Sequence, residues 1–73
     1  MARELGALKA KIGARVRGRR KALKISQEDL AFRVEISPTY LSQVEAGKRN
    51  VSLDVLFRLA QALQLELPDL VKT

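Results

Sequence analysis

Residues 39–50 place Thr39, Tyr40, Ser42 and Gln43 close together, followed by Lys48, Arg49 and Asn50. The first four are compact, uncharged side chains rich in hydrogen-bonding groups. A glutamine amide can hold adenine N6 and N7 as a bidentate pair. Serine and threonine hydroxyls meet either donors or acceptors, and a threonine methyl packs on thymine. Hydroxyls also bond phosphate oxygens, and Lys48, Arg49 and Asn50 suit a nucleic-acid backbone. The chemistry these types and spacings offer is recognition of double-stranded DNA, with base edges read by a small polar face and the backbone gripped beside it. The plainer alternative is a polar helix face turned to water.

Composition narrows the remaining classes. At 73 residues the chain is expected to form one domain, residues 1–73, too small for a deep catalytic cleft. It has no Cys and no His, which removes disulfides, thiolate nucleophiles and Cys/His zinc sites, together with the usual acid/base group of neutral pH. Asp29, Glu35 and Asp54 form no recognisable acid/base or metal set, so neither enzyme activity, metal, cofactor nor small-molecule ligand is expected. No apolar run approaches the roughly 20 residues of a membrane span, and a cytoplasmic location is expected. Fourteen Lys and Arg against eight Asp and Glu give +6. Residues 1–24 hold nine of the basic residues and a single acid, a local balance of +8, whereas 25–50 and 51–73 are each at −1. A dense positive segment attracts phosphate. It could also be a solvated helix face or lie on anionic lipid.

These residues must be held by helices. Leu5, Leu8, Ile12, Val16 and Leu23 recur at helical spacing, with Arg20 standing where an apolar residue is due. A charge there needs a partner, because an unpaired buried charge costs several kcal/mol. Ser26 before Gln27, Glu28 and Asp29 reads as an N-cap with acids in the first turn, opening a helix over about 27–34 with Leu30, Ala31 and Val34 inward. Ser37–Pro38 repeats the start signal for a helix over about 38–46, anchored by Leu41 and Val44 and stopped near Gly47. Ser52 caps a fourth helix whose stripe is Leu53, Leu56, Leu59, Ala60 and Leu63. Pro68 opens a last turn with Leu70 and Val71. No stretch alternates with period two, so the expected class is all-α, a compact bundle of four to five helices containing a helix-turn-helix.

Ser26-Gln27-Glu28-Asp29-Leu30-Ala31, Ser37 to Val44, and Glu45-Ala46-Gly47-Lys48-Arg49-Asn50, at this mutual spacing, closely resemble the Cro/repressor helix-turn-helix family, also called Xre-like. The resemblance runs from about Ile12 to Val71. Within that family, Thr39-Tyr40-Leu41-Ser42 with Lys48-Arg49-Asn50-Val51-Ser52 is similar to the short controller-like regulators of restriction–modification operons. The resemblance implies a lambda-repressor-like DNA-binding domain. Residues 38–46 would form its recognition helix, Thr39, Tyr40, Ser42 and Gln43 its base contacts, and Ser26, Gln27, Lys48, Arg49 and Asn50 its phosphate contacts. It also implies that Glu45 pairs with Arg20, meeting the need raised by the helix 1 stripe. Two positions depart from the family pattern. Glu35 stands where the turn usually carries Gly, and Pro38 where relatives carry a long polar side chain.

The implied function is a sequence-specific transcriptional regulator, binding a pseudo-palindromic operator as a homodimer. Leu63, Leu65, Leu67, Leu70 and Val71 supply apolar material for a dimer seam, or else close the monomer's own core. An antitoxin-like protein-binding module on the same fold is the alternative, and a lipid-binding helix 1 is disfavoured by Arg20 inside its apolar stripe.

Overall fold

A computed structural model describes residues 2–72. Five helices follow one another: α1 (Ala2–Ala22), α2 (Gln27–Val34), α3 (Pro38–Glu45), α4 (Leu53–Ala62) and α5 (Leu67–Val71), with no strand among the described residues. Helix α1 packs on α3 and α5, α2 packs on α3 and α4, and α4 packs on α5.

Three serines start the central helices by the same chemistry. The hydroxyls of Ser26, Ser37 and Ser52 accept the backbone N–H of Asp29, Tyr40 and Val55 at 3.0, 3.0 and 3.4 Å, each satisfying a donor that has no partner inside its helix. The ends of α1 to α4 are also alike. Ile25, Ile36, Lys48 and Leu65 each return a backbone N–H to the carbonyl five residues earlier, and the residue before each bonds three residues back. This closure needs a left-handed residue. Only α3 supplies a glycine, Gly47 at φ 74°; the other three use Lys24, Glu35 and Gln64 at φ 59°, 61° and 60°. Glu35 thus takes the glycine-like conformation at a cost of about 1–2 kcal/mol.

The core is aliphatic: Leu30, Leu41, Leu59, Leu63, Leu70, Val16, Val34 and Val44 are fully buried. Two expected stripes are shorter than their spacing implies. On α1, Ile12 and Val16 are buried and Leu8 half-buried, and Leu23, just past its end, is also half-buried, but Leu5 lies near the start of the helix and is exposed. On α4, Val55 takes the inward place expected of Leu53, which is 69% exposed. Within the C-terminal apolar set, Leu63 and Leu70 have no exposed surface. They close the monomer's core and cannot form a seam, and only the half-buried Leu65, Leu67 and Val71 reach the surface.

Two glycines set how closely the helices meet. A Cβ on Gly13 of α1 would lie 2.6 Å from the Glu45 carbonyl oxygen and closer still to that of Val44, so the last turn of α3 rests directly on the α1 backbone. A Cβ on Gly47 would come within 2.9 Å of the Ala10 Cα. Together they bring the loop after α3 against α1.

Candidate nucleic-acid interface

Helix α3 has only eight residues, of which Leu41 and Val44 are buried. Its remaining surface is polar. Thr39 and Ser42 are exposed, and Tyr40 and Gln43 are half-buried. Thr39, Ser42, Gln43 and Pro38 share one open depression with Gln27 and Glu28 at the start of α2. The N-terminal end of α2 therefore stands beside the polar side of α3. Free backbone N–H groups at a helix start favour an anion, so an anion-favouring end stands next to the polar face of α3. Pro38 and Glu28 add an apolar ring and a carboxylate to the same depression.

An ion pair holds that arrangement. Arg20 Nε donates to Glu45 Oε2 at 2.7 Å and Nη2 donates to Oε1 at 3.1 Å, a two-pronged contact across α1 and α3. Both side chains are about nine-tenths buried or more. Arg20 Nη1 also donates to the Ile25 carbonyl at 2.9 Å, so the guanidinium spans three segments. Hydrogen bonding to Glu45 raises the Arg20 pKa above its ordinary value, against the opposing effect of burial. Gln27 Nε2 donates to Glu45 Oε1 at 3.0 Å. The amide placed against phosphate by resemblance is thereby oriented by Glu45, and α1, α2 and α3 are joined at one carboxylate.

The basic loop is anchored to α3 by Tyr40. Its hydroxyl donates to the Asn50 carbonyl at 3.3 Å, and the Arg49 guanidinium lies over its ring, 4.9 Å from the centroid. A cation over an aromatic face gains about 0.5–1 kcal/mol at an exposed site. Tyr40 thus acts on the loop as well as bordering the polar face. Lys48, Arg49 and Asn50 are all exposed. The Ser26 hydroxyl, also assigned to phosphate, already accepts the Asp29 N–H as the cap of α2.

The positive charge of α1 divides between two sides of the helix. Arg17 is exposed and borders a second depression with Gln27, Ser42 and Ala46, adjoining the polar face of α3. It is a phosphate-facing candidate that the motif alone does not mark; its position three residues before Arg20, on the side of α1 packed against α3, is the signal that finds it. Arg19 and Arg15 point elsewhere. Arg19 Nε donates to the Leu63 carbonyl at 2.8 Å. Arg15 Nη1 donates to the Leu70 carbonyl at 3.1 Å and to that of Lys72. These carbonyls lie at the C-terminal ends of α4 and α5, where cations are favoured. Among the described residues, no three Asp, Glu, His or Cys side chains gather as a metal site.

A family model described as Helix-turn-helix matches residues 16–70. The control protein C.BamHI of Bacillus amyloliquefaciens is 45% identical over 47 residues, which cover 64% of this chain and 58% of that protein. The control protein C.SmaI of Serratia marcescens is 38% identical over 64 residues, 88% of this chain and 76% of its own length. The chain spans between about two fifths and three fifths of the length of the curated relatives it matches first. Among solved structures, the restriction-modification controller protein C.AhdI from Aeromonas hydrophila superposes with a TM-score of 0.83 at 44% identity, over 88% of this chain and 97% of that one. The P22 c2 repressor in complex with synthetic operator 9T superposes with a TM-score of 0.80 at 38% identity, over 84% of this chain and 92% of that one.

Proposed function

This chain belongs to the helix-turn-helix family, Xre-like in type and not an enzyme class, and from that premise we propose that it is a sequence-specific transcriptional regulator of the controller kind. It binds duplex DNA through the major groove, as a homodimer on a pseudo-palindromic operator. The observation that carries this reading is the flanking of α3: the start of α2 lies against one side of its polar face, and the exposed loop 48–50 follows at its end. A reader of base edges needs backbone contacts on both sides to fix its register.

In this reading residues 1–73 act as one DNA-binding domain. Thr39, Ser42 and Gln43 meet base edges, and Tyr40 meets the rim of the groove while holding the loop. Gln27 and the start of α2 take one phosphate, and Lys48, Arg49 and Asn50 take others, with Ser26 contributing alongside its cap. Arg17 adds a phosphate contact from α1. Arg20 and Glu45 touch no DNA and keep the three helices in register. A cytoplasmic location accords with this role, and no helix among the described residues is long and apolar enough to cross a membrane.

Selection of bound fragments from genomic or random DNA tests the reading. The expected product is a motif of two inverted half-sites with centres about one helical turn apart. Recovery of fragments without any shared motif would overturn it.

A further inference from the structure

A cavity of about 200 Å³ opens between the first half of α1, loop 49–51 and helices α4 and α5. Buried Ile12, Val44 and Leu56 form its floor, while half-buried Lys9 and exposed Arg49 stand at its mouth. Apart from Lys9, Arg49 and Asn50 its wall is aliphatic, and no acid lines it among the described residues. No sequence motif marks the cavity, because its walls come from positions as distant as Leu8 and Val71 that only the fold brings together.

We propose that this cavity is an effector site for a small amphipathic carboxylate, with its apolar chain over Ile12, Val44 and Leu56 and its head held by Lys9 and Arg49.

Three observations select that occupant. The first is volume. An apolar cavity of about 150 Å³ takes a benzene ring, so this one takes an apolar group of about six to eight carbons. Water gains little there, since an aliphatic wall offers it few polar partners. The second is charge. Lys9 forms an ion pair with no acid among the described residues, and two cations beside an acid-free apolar wall favour an anion and repel an amine. The guanidinium of Arg49 suits a planar carboxylate, which it can hold by two parallel hydrogen bonds. The third is the position of Arg49. Its guanidinium also lies over the Tyr40 ring, 4.9 Å from the centroid, and the Tyr40 hydroxyl donates to the Asn50 carbonyl in the same loop. Arg49 therefore belongs both to the cavity and to the loop that grips the DNA backbone in the function proposed above, on which this regulatory step rests. A carboxylate bound to Arg49 withdraws one cation from phosphate, which weakens DNA binding and flattens its salt dependence together. Coupling of this kind is reciprocal, so operator DNA weakens the carboxylate in turn.

Titration of the isotope-labelled full chain with octanoate, followed by amide NMR, tests the site without DNA. The expected result is saturable binding that moves the amides of Leu8, Ile12 and Val51, with octanol bound about 10-fold more weakly. Lys9→Gln, checked for folding by circular dichroism, should weaken octanoate about 5-fold. Saturating octanoate should also weaken wild-type binding to a selected operator about 5- to 10-fold, and less so for Lys9→Gln at the same concentration. Shifts that never saturate, or that scatter over the surface, would overturn the site. Octanol binding as tightly as octanoate, with Lys9→Gln unaltered, would overturn the carboxylate. If dilution of the free chain moves the same amides and octanoate adds nothing, a second copy fills the cavity and the proposal is overturned. Saturable octanoate binding that leaves operator affinity unchanged would overturn the regulatory step alone. A chain that binds octanoate but no DNA would overturn the DNA-binding reading and that step, while the site stands.

Discussion

Arg20 and Glu45, separated by 25 positions in sequence, form a two-pronged, buried ion pair whose carboxylate also receives the Gln27 amide. Taking two charges out of water is costly, and replacing such a pair by apolar residues is often neutral or stabilising. The arrangement therefore makes most sense as a device for orientation. It links the helix that would read bases to the helix start that would take a phosphate.

Removing one partner exposes that dependence. Glu45→Ala strands a buried guanidinium, at a cost of about 3–5 kcal/mol. At roughly 4–8 °C per kcal/mol for a domain of this size, thermal melting followed at 222 nm should fall by well over 10 °C. An unchanged midpoint would count against a buried pair.

Gly13→Ala should be destabilising by about 1–3 kcal/mol, the usual range for overpacking. The added carbon meets the backbone oxygens of Val44 and Glu45, which cannot rotate away as a side-chain end would. Gly6 and Gly18 on the same helix meet nothing within 4 Å. Gly18→Ala in mid-helix should gain up to about 1 kcal/mol from helix propensity, so opposite signs in urea denaturation are the expected outcome.

Glu35→Gly should raise stability by about 0.5–1 kcal/mol. The left-handed strain at φ 61° costs about 1–2 kcal/mol, and the extra chain entropy of glycine in the unfolded state returns part of the gain. A higher urea midpoint with an unchanged slope is the signature. A lower midpoint would mean that the Glu35 side chain makes a stabilising contact.

Gln43 and Lys48 should fail differently on DNA. Gln43→Ala should lose about 1–3 kcal/mol of discrimination at one position of each half-site. Lys48→Ala should weaken all sequences alike and flatten the dependence of log K on log salt by about one unit. Uniform loss by both variants across a binding library would refute the division between base reading and backbone grip.

Much of the architecture was legible because it rests on local chemistry. Ser26, Ser37 and Ser52 announce their helices, as each cap acts on an N–H three residues away. Arg20 announced a missing partner because a charge interrupted an apolar period. What escaped depends on distance or on flanks. Arg15 and Arg19 bond carbonyls 55 and 44 positions away, and no local pattern distinguishes them from other arginines of a basic helix. Lys24 and Gln64 end helices in a conformation that glycine would have advertised. Leu53 matches the period of the α4 stripe yet sits on its flank, and a short helix tolerates that offset. Leu63 and Leu70 looked available for an interface because burial is a property of the folded monomer, which spacing does not report.

Helix α1 is a partition. Arg17 and Arg20 serve the side where α3 lies, while Arg15 and Arg19, turned well around the axis, hold the last carbonyls of α4 and α5. The C-terminal end of α5 therefore lies on the side of α1 away from the polar face of α3. In the proposed mode of DNA binding, a fluorophore, affinity tag or fused domain attached beyond α5 stays clear of the duplex, whereas the same cargo inserted in loop 48–50 lies in its path.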